Sequence, residues 1–228
     1  MGKNMKHIVL SIVVVALFIQ VLQAQEYTYL PSLKDQLLYG PLELQIDSLP
    51  QAPKRKLLPD NMSFMEKGLW GEDGIFRSIG LAAPLTPESR KSELALRRTM
   101  LTAHQIGGFV TLWSMITAVY FGQLLINNGD RGYRKNHQIF VTTTIISYSA
   151  TGLLAVLSPP PMIRRNEMST TTIHKTLAWV HFAGMVLTPI IGLSVKRHGT
   201  ISDVAHFHQA SAYITTAALA TSLIIITF

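Results

Sequence analysis

Four long stretches in the second half of the chain, residues 100–126, 138–157, 171–195 and 204–228, are almost continuously apolar. At 1.5 Å of rise per helical residue, each can cross roughly 30 Å of hydrocarbon. The segments between them, 127–135, 158–169 and 196–203, are short and carry Gly, Pro or charge, so neighbouring helices must run antiparallel. Ahead of the first stretch, Thr86-Pro87-Glu88 offers a cap hydroxyl, a proline at the first helical position and an early acid. That trio predicts a helix that starts there and runs unbroken into lipid. The expected fold is an all-α membrane protein: an antiparallel up-down-up-down four-helix transmembrane bundle over residues 86–228, preceded by an irregular N-terminal extracytoplasmic segment.

The first 24 residues have a short basic start (Lys3, Lys6), an apolar run from Ile8 to Phe18 and a more polar end at Ala24. This is the layout of a secretory signal peptide, with an uncleaved anchor helix as the alternative. Either version sends the next residues across the membrane and puts residues 25–96 on the extracytoplasmic side. The corresponding location is a bacterial plasma (inner) membrane. From 25 to 85 prolines are too frequent for long helices. Within that tail Phe64, Leu69, Trp70, Ile75, Phe76 and Ile79 recur at loosely helical spacing beside charged residues, which suits a segment lying on the membrane surface. A small packing cap over the bundle is the other possibility.

Composition agrees with a membrane protein: 48% of the 228 residues are hydrophobic and only 14% charged, well short of the quarter usual in soluble domains. The formal charge of +7 sits in clusters beside apolar segments, where it orients helices against headgroups. Membrane lipid, not nucleic acid, is therefore the expected surface partner. With no Cys, the chain cannot hold a thiolate zinc site, a Cys-ligated iron–sulfur cluster or covalently attached haem.

Candidate chemistry resides in the histidines. Ionisable side chains within a membrane span are costly and by default face the bundle interior for a function. His104, His137, His174 and His208 occupy the early turns of the four expected helices. In an antiparallel bundle His104 matches His174 in depth, and His137 matches His208, giving two bis-imidazole levels. Four residues after three of them, on the same face, stand Gly108, Ala178 and Ala212, each followed by an aromatic residue. These small residues leave a notch where a flat macrocycle can approach the backbone. His137 departs from the pattern, with Val141 and Thr142 in the equivalent places.

Small and weakly polar residues dominate the expected inward faces: Thr111, Met115 and Ala118; Thr144, Tyr148 and Thr151; Gly184 and Thr188; Thr215 and Leu219. Close helix packing in lipid accounts for such residues without a cofactor; paired histidines at matching depth favour a cofactor slot. His181 shares a face with His174 about 10 Å deeper. It is either a replacement ligand or, as its central height favours, a buried hydrogen-bonding group beside the cofactor. His206 points away from His208, and His198 is a loop residue. Two facing imidazoles with almost no nearby acid suit haem, whose iron takes axial ligands from side chains; zinc or non-haem iron normally wants three or four protein ligands. Arg98, Arg164, Arg165 and Lys175 at one end, and Arg134, Lys135 and Arg197 at the other, are candidates to pair with propionates or to anchor headgroups.

Four helices with His104 and His174 paired at one end and His137 and His208 at the other resemble the cytochrome b561 type of di-haem membrane protein. The resemblance covers residues 99–228. It implies transmembrane electron transfer through two non-covalent haem b groups, His104 and His174 ligating the outer iron and His137 and His208 the inner one. A redox partner protein or a quinone would exchange the electrons. The alternatives are a non-redox membrane subunit for complex assembly and a His-rich metal transporter or sensor. The chain offers no phosphate loop, activated nucleophile or paired carboxylates.

Overall fold

The computed structural model describes residues 56–163, 169–198 and 202–227. The expected signal segment and the start of the tail lie outside the described residues, as do Arg164 and Arg165. Among the described residues six helices follow in order: α1 Phe64–Trp70, α2 Ile75–Ser78, α3 Pro87–Asn128, α4 Arg131–Val156, α5 Thr170–His198 and α6 Asp203–Thr227. Among the described residues there is no strand. The last four helices are each long and apolar enough to cross a membrane, and they form the antiparallel up-down-up-down bundle of an integral membrane protein.

Local chemistry sets the ends of the spans. The Thr86 hydroxyl accepts from the Ser89 N–H at 3.2 Å while the Ser89 hydroxyl accepts from the Thr86 N–H at 2.9 Å, and Pro87 opens α3. This reciprocal cap satisfies donors that the first turn leaves without helical partners. At the other end Gly129, in the left-handed region with φ 66°, donates its N–H to Leu125 O at 2.9 Å. Asp130 then caps α4 by accepting from the Gly132 N–H at 2.5 Å. The connection therefore needs only residues 129 and 130, shorter than the expected 127–135. Arg131, Arg134 and Lys135 belong to α4 because these caps complete the backbone bonding, so charge alone does not interrupt the helix.

The bundle interior mixes hydroxyl side chains with apolar ones such as Met115, Ala118, Leu219 and Leu223, and its outer faces are apolar. Thr111, Ser114, Thr144, Thr151, Thr188, Thr215 and Ser222 are all buried, while Trp113, Trp179, Phe182, Leu193 and Phe207 are exposed on the outer faces. In lipid, apolar side chains gain little by leaving the solvent, so small residues that let backbones approach and hydroxyls that bond locally drive the packing. Thr111, Thr144 and Thr215 each return their hydroxyl hydrogen to the carbonyl one turn earlier, at 2.7–2.8 Å. Gly107 and Gly184 face Thr151 and Thr215 so closely that a Cβ on either glycine would collide with the threonine.

Residues 56–86 form a cap on the early part of α3 and the Pro-rich turn after α4. The Trp70 ring is buried, meets Phe76 edge-to-face at 5.1 Å and donates Nε1–H to Leu157 O at 3.0 Å. Glu93 is buried between Arg77 at 2.7 Å and Arg90 at 2.8 Å. Arg90 is itself only 1% exposed; its remaining donors reach Leu57 O at 2.8 Å and Pro160 O at 2.5 Å. Arg97 adds a bond to Pro159 O at 2.5 Å. Of the two possibilities for this segment, packing accounts for Trp70, whereas Phe64, Ile75 and Ile79 remain exposed.

Candidate functional site

The four paired histidines share one local geometry. His104 Nδ1 lies 2.8 Å from Thr151 O, His137 Nδ1 2.8 Å from Ala118 O, His174 Nδ1 3.1 Å from Ser222 O, and His208 Nδ1 2.9 Å from Thr188 O. A carbonyl can only accept, so each Nδ1 carries the hydrogen, and Nε2 is left with a free lone pair. Such anchoring fixes the tautomer and ring orientation of a metal-binding imidazole and raises its basicity. The Ser222 hydroxyl also lies 2.8 Å from His174 Nδ1.

The rings come together in the expected diagonal pairs. His104 and His174 have centroids 6.1 Å apart with planes at 84°, and His137 and His208 have centroids 6.2 Å apart with planes at 86°. Two imidazoles that bind one ion along a common axis at about 2.0–2.1 Å have ring centres roughly 6.2–6.4 Å apart. Bare edge-to-face pairs also occur at this spacing; the shared Nδ1 anchoring is the feature common to all four rings. Among the described residues no group of three or more His, Asp or Glu could hold a metal. The donor set therefore fits axial coordination of haem and lacks the ligand number of a closed zinc site.

A single register generates both sites. In every helix the histidine and the anchoring carbonyl are fourteen residues apart: His104 and Ala118, His137 and Thr151, His174 and Thr188, His208 and Ser222. Each helix thus lends an imidazole to one site and a carbonyl to the other. The two levels are separated by about 21 Å of helical rise. Midway, seven residues from each level, stand Thr111, Thr144, His181 and Thr215, all buried.

The remaining sequence candidates fall in varied places. Gly108 is buried, but a Cβ there would lie 2.9 Å from Leu223 Cδ2, so α6 packs directly over it. Ala178 and Ala212 are half-buried and His206 is exposed. His181 is buried and hydrogen-bonded to Tyr148 OH at 2.9 Å; the ring paired with His104 is that of His174. His198 is the last residue of α5, not a loop residue, because that helix continues past the apolar stretch. Arg98, Arg134, Lys135 and Lys175 are exposed near the helix ends.

Two glycines went unnoticed in the sequence. A Cβ on Gly122 would lie 3.1 Å from His137 Nδ1, and one on Gly192 would lie 2.8 Å from His208 Cε1. Both stand four residues after the carbonyl that anchors the same ring, one turn along the neighbouring helix. Each imidazole of this pair therefore seats on a glycine of the helix across from it; His208 also has Ala212 four residues on, whereas His137 has Val141 there. The signal that could have revealed them is a glycine eighteen residues after His104 and after His174. No family model, curated protein or solved structure matched the chain.

Proposed function

We propose that this protein is a transmembrane electron carrier of the cytochrome b561 type, holding two non-covalent haem b groups between His104 and His174 and between His137 and His208. The uniform Nδ1-to-carbonyl anchoring of the four imidazoles is the observation that supports this reading. When bound, each haem supplies one-electron Fe(III)/Fe(II) chemistry. The chain's residues do the rest. The carbonyls of Thr151, Ser222, Ala118 and Thr188 hold the imidazoles with Nε2 free, and the buried threonine layers exclude bulk water between the levels. The 14-residue register sets the separation of the two sites.

With the signal segment translocated, the His104–His174 site lies toward the extracytoplasmic face of a plasma membrane and the His137–His208 site toward the cytoplasm. Electrons enter and leave by way of a redox partner protein or a quinone. Spectroscopy of the purified protein after haem-sufficient expression tests the proposal. Reducible bis-His b-type bands are expected; a stable, colourless bundle would favour an assembly subunit, and bound zinc or copper without porphyrin would favour transport or sensing.

A further inference from the structure

The midway layer contains one departure from its pattern. Thr144 and Thr215 have their hydroxyls satisfied within their own helices, and Thr111 adds to its own-helix bond a hydroxyl contact with Ser147 of α4 at 3.0 Å, but the fourth position is an imidazole, His181, only 8% exposed. Its Nδ1 is hydrogen-bonded across helices to Tyr148 OH at 2.9 Å, and the two rings stand 5.6 Å apart at 86°. Tyr148 is four residues beyond Thr144 and three short of Thr151, whose carbonyl anchors His104. Along α5, His181 is about 10 Å from the His174 level and about 10 Å from Thr188, the anchor of His208. The pair thus occupies the interval that separates the two histidine levels.

A buried imidazole at mid-membrane is costly, and packing alone would be met by a fourth threonine. An imidazole at this place therefore points to a task that threonine cannot perform. Two conjugated rings joined by a hydrogen bond between α4 and α5 differ from a hydroxyl layer chiefly in offering delocalised, polarisable orbitals. We propose that Tyr148 and His181 form the electronic bridge between the two haem sites, a positioning pair that carries coupling without itself binding iron. The proposal rests on the di-haem reading. One electron is lost at one iron and gained at the other, while Tyr148 and His181 keep their bonds and charge throughout.

The test compares the wild-type holoprotein with His181→Leu, His181→Phe and Tyr148→Phe, measuring haem per chain, the optical and EPR signatures of each haem, and the rate of interhaem electron transfer after rapid one-electron reduction. Tyr148 C–O vibrations under tyrosine isotope labelling give a readout that needs no turnover. Both haems are expected to be retained in all three variants. The interhaem rate should fall severalfold in His181→Leu and less in His181→Phe, which keeps a ring. The Tyr148 band should shift on mutation of His181 and respond to haem reduction in the wild type. Unchanged rates with both haems present would overturn the bridge and leave the di-haem reading intact. Loss of one haem from the His181 variants would overturn it in favour of ligation. If His181→Leu fails to fold, the test falls to Tyr148→Phe, in which a lowered interhaem rate with both haems retained is expected and an unchanged rate overturns the bridge. Wild-type protein without porphyrin would instead overturn the di-haem reading itself.

Discussion

The His208 ring sits directly over Gly192: its Nδ1 reaches Thr188 O at 2.9 Å, and a Cβ on the glycine would come within 2.8 Å of its Cε1. The ring cannot swing aside to make room without giving up that hydrogen bond. Gly192→Ala should therefore disturb the His137–His208 pair, through overpacking worth about 1–3 kcal/mol, and reduce haem retention at that site alone. Gly122→Ala, where the approach to His137 is 3.1 Å, should have the milder effect of the same kind. Haem per chain and thermal unfolding in detergent measure both; equal retention in Gly192→Ala and wild type would contradict the seating.

Gly107 and Thr151 provide a compensation test. Alanine at 107 would collide with Thr151 Oγ1, while the threonine Cβ and Cγ2 would lie at 3.4 and 3.6 Å, ordinary contact. Gly107→Ala is expected to destabilise the α3–α4 contact by about 1–3 kcal/mol, and Thr151→Ala in the same chain should restore most of it. The Thr151 carbonyl that anchors His104 is backbone and survives the change. Additive rather than compensating shifts in unfolding temperature would show that the two residues are not in contact.

The cap depends on a buried ionic triad. Glu93→Ala leaves Arg77 and Arg90 buried without their shared carboxylate, a loss of about 3–5 kcal/mol, concentrated in residues 56–86 and their contact with the Pro-rich turn. Limited proteolysis should cut within the cap faster than in wild type while the spanning helices stay protected. Glu93→Gln, which keeps hydrogen-bonding oxygen but loses charge, should fall between the two.

Trp70→Phe removes one hydrogen bond, from Nε1 to Leu157 O, and leaves the carbonyl to find another donor. The expected cost is about 0.5–1.5 kcal/mol, smaller than that of Glu93→Ala, read by hydrogen exchange of the cap amides. A loss as large as that of Glu93→Ala would mean that the indole ring, not its N–H, secures the segment.

Much of the bundle is written in local pattern. The seven-residue recurrence that buries Thr111, Thr144, His181 and Thr215 follows from helix geometry, and the diagonal pairing of histidines follows from short connections. The start of α4 was hidden because Arg131, Arg134 and Lys135 read as loop charge, whereas the caps at Gly129 and Asp130 carry the helix through them. Gly122 and Gly192 were hidden for a different reason. Their role depends on which residue of a neighbouring helix stands opposite, and that register is set by packing between helices. The Arg77–Glu93–Arg90 triad is nonlocal in the same sense: Arg90 and Glu93 are one turn apart, but Arg77 arrives from a separate helix.

The most direct measurement is haem content per polypeptide, taken together with reduced-minus-oxidised spectra, for the wild type and for His104→Ala, His174→Ala, His137→Ala and His208→Ala. Two haems are expected in the wild type. One spectral component should be lost in either of the first two variants, and the other component in either of the last two. A folded wild-type bundle that binds no porphyrin, or variants that lose both components indiscriminately while remaining folded, would contradict the two-site account.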